Sequence, residues 1–139
     1  MRHEIIPNLR YADAPRAIEF LCTAFGFARH AVYLSETDPG IVQHAQLVWA
    51  DRMVMISSAV DSPHVQAARM KTAAEAGGPT MGLYLIVADV DAHAERARAA
   101  GAQLIREPKD EDYGGRGYSA KDPEGNVWSF GSYDPWADH

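Results

Sequence analysis

Residues 85–89, Leu85-Ile86-Val87-Ala88-Asp89, echo residues 9–13, Leu9-Arg10-Tyr11-Ala12-Asp13. Each piece closes an apolar, strand-like run and leads directly into a helical pattern, so the echo sets the period of the chain. The first helix is expected over 14–25, where Ala17, Ile18, Leu21, Cys22 and Phe25 recur at helical spacing. Asp13 is placed to cap its start and Gly26 to end it in the left-handed conformation. The second helix is expected over 90–100, between Asp89 and Gly101, with Val90, Ala94, Ala97 and Arg98 facing inward. Three short strands follow each helix: 28–34, 41–49 and 53–57 in the first half, 103–107, 117–120 and 126–133 in the second. Each half therefore reads β-α-β-β-β, and the matched order marks a structural repeat.

The halves cover about 4–58 and 80–133, joined by a 59–79 linker and followed by a tail at 134–139. Within the linker, Ser62-Pro63 can open a helix and Gly77-Gly78-Pro79 can stop one. The stretch Asp122-Pro123-Glu124-Gly125-Asn126 is dense in turn formers and leads into the apolar Val127-Trp128-Ser129-Phe130.

With 139 residues, one domain with a real core is expected. The net charge of −6, without a cluster of Lys and Arg, excludes a phosphate-driven nucleic-acid binder and speaks against anionic membrane surfaces. No apolar run reaches the ~18 residues of a membrane span, and MRHEIIPNLR lacks an apolar signal core. Cys22 is the sole cysteine, which leaves no intrachain disulfide and no thiolate metal cluster; on the apolar side of its helix it is expected to be buried and inert. A cytoplasmic protein is the expectation.

The repeat, with LRYADAPRAIEFL opening one half and DPEGNVWSF closing the other, resembles the vicinal oxygen chelate superfamily, the glyoxalase, bleomycin-resistance and extradiol-dioxygenase group. The resemblance covers about residues 5–133. It implies an α+β fold, two β-α-β-β-β modules forming a curled sheet around a cavity, and a homodimer, with the cavity either within one chain or shared between two. In catalytic members it implies a divalent metal held by His and Glu. Carried over by position, those sites fall near Ile6, on Ile56 or Ser57, near Gly82 and on Ser129. A Ser hydroxyl is a poor ligand beside imidazole or carboxylate, and loss of several positions leaves no cage. No metal and no other cofactor is therefore expected there.

None of His3, His30, His44, His64, His93 and His139 forms an HxH, HxxxH or HExxH pair. His93 is expected on a solvated helix face. His44 lies mid-strand, and strict alternation groups it with Val42, Gln46 and Val48. By the same alternation Leu9, Tyr11, Leu83, Leu85, Val87, Trp128 and Phe130 face the helices. Asn8, Arg10, Tyr84, Ile86, Val127 and Ser129 then face the cavity. The glycine-rich loop from Asp112 to Tyr118 offers Tyr113, Arg116 and Tyr118 for a ligand, Tyr for flat contact and Arg for a carboxylate or phosphate. The competing reading pairs Arg116 with Asp110, Glu111 or Asp112. Trp49 is a further candidate to cap a pocket, whereas Tyr133 and Trp136 are expected to anchor the tail or meet a partner.

The expected ligand set is thus His44, Arg10, Tyr84, Tyr113, Arg116, Tyr118, Ser129 and Trp49, in a metal-independent small-molecule binding protein similar to bleomycin-type resistance proteins. The alternative is a glyoxalase-like lyase or isomerase with a displaced metal or with acid–base residues drawn from His44, Tyr113, Tyr118 and Glu107.

Overall fold

The computed structural model describes residues 1–137. The first module runs β1 (Asn8–Tyr11), α1 (Ala14–Phe20), β2 (Ala28–Leu34), β3 (Val42–Trp49) and β4 (Arg52–Ser58). The second runs β5 (Gly82–Ile86), α4 (Val90–Ala99), β6 (Gln103–Asp110), β7 (Arg116–Lys121) and β8 (Val127–Gly131). Each module makes one four-stranded sheet, ordered β1-β4-β3-β2 and β5-β8-β7-β6. In both, the first and last strands pair in parallel and the remaining pairs are antiparallel. The repeat read from the sequence is thus a repeat of topology. Between the modules lie two short helices, α2 (Pro63–Ala68) and α3 (Ala73–Ala76). Ser62 caps α2, a Thr72–Glu75 capping box opens α3, and Gly77 ends α3 at φ 83°.

The caps explain where the main helices begin. Asp13 accepts from the Arg16 amide at 3.2 Å and Asp89 from the Ala92 amide at 3.0 Å. Beyond Phe20 the first helix widens into a π-turn over Leu21–Phe25, closed by Gly26 at φ 91°. That turn buries Leu21, Ala24 and Phe25 together. Phe25 packs on Phe130 and Trp128 at ring separations of 4.8 and 5.6 Å, and Phe27 packs edge-on to Trp128 at 5.7 Å. The helix-side faces of both sheets therefore share one core. Their opposite faces are left open.

Two of the assignments of face need correction. Val42 is buried with Ala45 and Leu47, opposite to His44. Tyr33 pairs with His44 and Leu34 with Val42, so Gln43 is an extra residue, and this bulge switches the face of Val42. Arg98 is exposed rather than inward, and it pairs with Glu107 of β6.

The modules are clasped by the β7–β8 turn. The Asp122 carboxylate is buried and accepts from Tyr11 Oη at 2.6 Å, from Trp128 Nε1 at 3.1 Å and from the amides of Glu124 and Asn126 at 3.0 and 3.1 Å. Glu124 reaches the other module and accepts from the amides of Ala12 and Asp13 at 2.7 and 2.8 Å, next to the start of α1. Burial, followed by the charge of Asp122, pushes the Tyr11 hydroxyl well above its ordinary pKa, so Tyr11 stays a donor. Asp122→Ala strands two buried donors; it is expected to cost ~3 kcal/mol in urea denaturation, with Glu124→Ala costing ~1 kcal/mol.

His93 makes a second link and is not a solvated helix residue. Its Nε2 donates to the Phe25 carbonyl at 2.8 Å, which leaves Nδ1 to accept from Tyr118 Oη at 2.6 Å. Burial lowers its pKa, and the Arg96 charge adds to this against the Phe25 carbonyl. The folded chain thus holds His93 neutral, while the unfolded chain protonates it near pH 6.5. Stability from this residue is complete above pH 6.5 and falls as the pH drops from 6.5 toward the lower folded value. Urea midpoints measured from pH 7.5 to 5 are expected to show this fall, and His93→Gln is expected to flatten it.

Candidate functional site

The open face of the second sheet carries a cleft of about 280 Å³. Its floor is glycine. Gly117 and Gly131 are cross-strand partners on β7 and β8, and both lack the side chain that would fill the cleft. A Cβ on Gly131 would lie 2.6 Å from Tyr84 Oη, and one on Gly117 would lie 3.2 Å from Glu111 Oε1. The Tyr84 hydroxyl and the Glu111 carboxylate therefore rest on this floor. Tyr84 Oη donates to the Tyr133 carbonyl at 2.6 Å, and the Tyr133 ring meets the Tyr113 ring edge-on at 5.0 Å. Tyr84 and Tyr113 form aromatic walls, and Ser129 Oγ lies 2.7 Å from Ser119 Oγ across β7 and β8.

The charges in this cleft are arranged by the β6–β7 hairpin. Glu111 and Gly115 close it through an amide-to-carbonyl bond of 2.9 Å, and Gly115 (φ 72°) passes so near Tyr133 that a Cβ there would lie 2.8 Å from its amide nitrogen. Arg116 is held by Asp91 in a two-point contact, 2.9 Å at Nε and 3.0 Å at Nη2, and by Asp110 at 3.3 Å. The bonds from Asp91 keep this guanidinium's pKa raised. Arg106 Nη1 lies 2.6 Å from Glu111 Oε1, an ion pair whose direction does not make a hydrogen bond. Burial raises the Tyr84 pKa, and Tyr113 and Glu111 add to the rise.

Of the residues expected to bind ligand, Tyr84, Tyr113, Arg116 and Ser129 come together here. Tyr118 does not. It is fully buried on the helix side with His93, because Gly117 and Ser119 take the open face on either side of it. His44 is on the open face of the first sheet, stacked on Tyr33 at 6.2 Å and 3.1 Å from Gln46 Nε2. Arg10 sits beside the linker, where Nη2 donates to the Val60 carbonyl at 3.5 Å and Nε has no partner. Trp49 lines an apolar crevice of about 430 Å³ with Phe27, Met53 and Leu83, which adjoins the cleft along Gly82, Leu83 and Tyr84. Glu107 is engaged by Arg98 and is exposed. Trp136 is 92% exposed, and His139 lies outside the described residues. Cys22 is half-buried, and burial raises its thiol pKa. Arg106 was not singled out in the sequence, and Glu111 was named only as a candidate partner of Arg116; the structure pairs Arg116 with Asp110 and Asp91, and Glu111 with Arg106.

The sequence profile of the glyoxalase/bleomycin resistance protein/dioxygenase superfamily matches residues 5–130. The chain belongs to this superfamily. It is 34% identical over 127 residues to an uncharacterised protein of Mycobacterium tuberculosis H37Rv, covering 90% of this chain and 71% of that one. Among solved structures it is similar to TioX from Micromonospora sp. ML1, with TM-score 0.67, 29% identity, and 93% and 94% of the two chains covered. The fosfomycin resistance protein FosX from Listeria monocytogenes shares the fold at TM-score 0.67 and 12% identity, with 97% and 96% covered.

Metal-dependent chemistry in the superfamily needs a ligand cage, and the residues here do not fit one. Gly82 has no donor and Ile6 is apolar. Ile56 is fully buried in the core, so Ser57 is the open-face residue at that position. Ser129 spends its hydroxyl on Ser119. Among the described residues, no three His, Cys, Asp or Glu side chains converge. What this superfamily member presents in the cleft is tyrosine, serine, one carboxylate and two arginines already paired with carboxylates, on a glycine floor. Gly131→Ala is expected to push Tyr84 off the Tyr133 carbonyl and destabilise the fold by ~1–3 kcal/mol. Thermal unfolding measures the cost, and the Tyr84 ring resonances in NMR measure the displacement.

Proposed function

We propose that this chain is a metal-independent small-molecule binding protein that holds its ligand in the cleft of the second sheet. The observation that carries the reading is the cleft itself: aromatic walls and a glycine floor stand where Ser129 and Gly82 replace ligating side chains. Such a lining supplies contact area and hydrogen bonds but no Lewis acid. A sequestering role of the bleomycin-resistance kind needs nothing more.

The same reading makes the protein a homodimer. The open faces carry exposed side chains with large apolar area, Tyr33 beside His44 on the first sheet and Tyr84 and Ile86 on β5 of the second. Such faces mark interaction surfaces, and the first sheet of one copy set against the second sheet of another would enclose both His44 and the tyrosine cleft. The acid–base alternative is less well supported, since Tyr118 and Glu107 point away from the cleft and His44 lies on the other sheet.

Elemental mass spectrometry on tag-free protein purified without chelator tests the reading. Zn, Mn, Ni and Fe are expected far below stoichiometry, together with a ligand-induced rise in melting temperature from a broad small-molecule screen. Stoichiometric metal with turnover of a thiohemiacetal or epoxide would overturn it.

A further inference from the structure

The Glu111 side chain is only 9% exposed, yet its Oε1 accepts no hydrogen bond. That oxygen has given up water for the Arg106 guanidinium at 2.6 Å, a contact outside hydrogen-bond direction. Its single close charge is Arg106, whose side chain is 38% exposed and can leave toward solvent. The other guanidinium of the cleft, Arg116, is already committed to Asp91 and Asp110. The cleft lining carries two guanidiniums and one carboxylate; with Arg116 neutralised from outside the lining by Asp91 and Asp110, Glu111 and its partner Arg106 are the charges left facing the cleft. Beside Glu111 stand Tyr84, 44% exposed, and Tyr113, 61% exposed. Tyr133 steadies both, through its carbonyl for Tyr84 and its ring for Tyr113. Electron-rich ring faces next to a carboxylate stabilise a desolvated organic cation.

We propose that the cleft takes an organic cation, an ammonium or guanidinium group seated between Tyr84 and Tyr113 with its charge on Glu111, in the place that Arg106 occupies without ligand. This rests on the binding reading above and adds the class of ligand. Arg106 is then a built-in competitor: its guanidinium fills the cation position when the cleft is empty and swings out when the ligand arrives. A carboxylate ligand would meet Glu111 on the floor and find no free guanidinium except the one paired to it. The net charge of −6 favours the same class at long range.

Titration of the protein with benzyltrimethylammonium and with 3-phenylpropionate, each followed by calorimetry and by tyrosine NMR resonances, decides it. The cation is expected to bind and the carboxylate not. Glu111→Gln is expected to weaken the cation about tenfold, the effect of losing one charge-assisted contact. Arg106→Ala is expected to tighten it, a sign that a structural ion pair alone would not produce. Tyr113→Ala, at an exposed site, tests the wall without risk to folding and is expected to weaken binding. Preference for 3-phenylpropionate, with loss of binding in Arg106→Ala, would overturn the inference. So would cation binding that Glu111→Gln leaves unchanged. If an uncharged ligand from the screen occupies the cleft and the cation does not, the charge class fails and the binding reading stands. If nothing binds, both fail.

Discussion

The Asp122 carboxylate, buried between the two modules, is the constraint on which the rest of the structure depends. A charge in that position is tolerated only if donors surround it. They come from Tyr11 of β1, Trp128 of β8 and the amides of its own turn. The same turn sends Glu124 onto the amides of Ala12 and Asp13. One five-residue turn thereby fixes the first strand of the first module against the last strand of the second. With the start of α1 held in place, its π-turn delivers Phe25 onto Trp128 and Phe130. The shared core follows from this, and so does the outward direction of both open faces.

That orientation makes a site possible. A β-sheet side chain has two directions to choose from, and the core takes one of them. On β8, Trp128 and Phe130 go inward, so Ser129 and Gly131 must go outward. On β7, inward Tyr118 leaves Gly117 and Ser119 outward. The outward residues are small, and the space above them is occupied by side chains from elsewhere, Tyr84 from β5 and Glu111 from the β6–β7 hairpin. The cleft is thus made by what the strands omit as much as by what they supply. His93 reinforces the arrangement from the core side, because its bond to Tyr118 holds the inward side chain next to the outward glycine floor.

Much of this was legible in the chain. Paired Asp caps and glycine stops marked both helices, and alternation placed Leu9, Tyr11, Trp128 and Phe130 correctly, because backbone geometry and burial act over a few residues. Local periodicity failed at particular points. Gln43 bulges out of β3, and Val42 changes face as a result, a shift of register that no composition signal announced. Tyr118 was offered to a ligand as the end of the glycine-rich loop, although it also falls in the expected 117–120 strand; with Gly117 and Ser119 outward, that strand turns it into the core. His93 looked solvated because its partners, Phe25 and Tyr118, lie 68 and 25 residues away in the chain.

By itself, the sequence determined the two-module α+β fold and the superfamily. Each of these depends on residue type and on short-range spacing. Tertiary structure alone decided that Arg116 is spent on Asp91, that Tyr118 serves the core, and that Glu111 and Tyr84 rest on the glycine floor of one cleft. The reason is physical: whether a charge is free or paired depends on which side chains long-range packing brings within about 3 Å of it, a distance that sequence spacing does not encode.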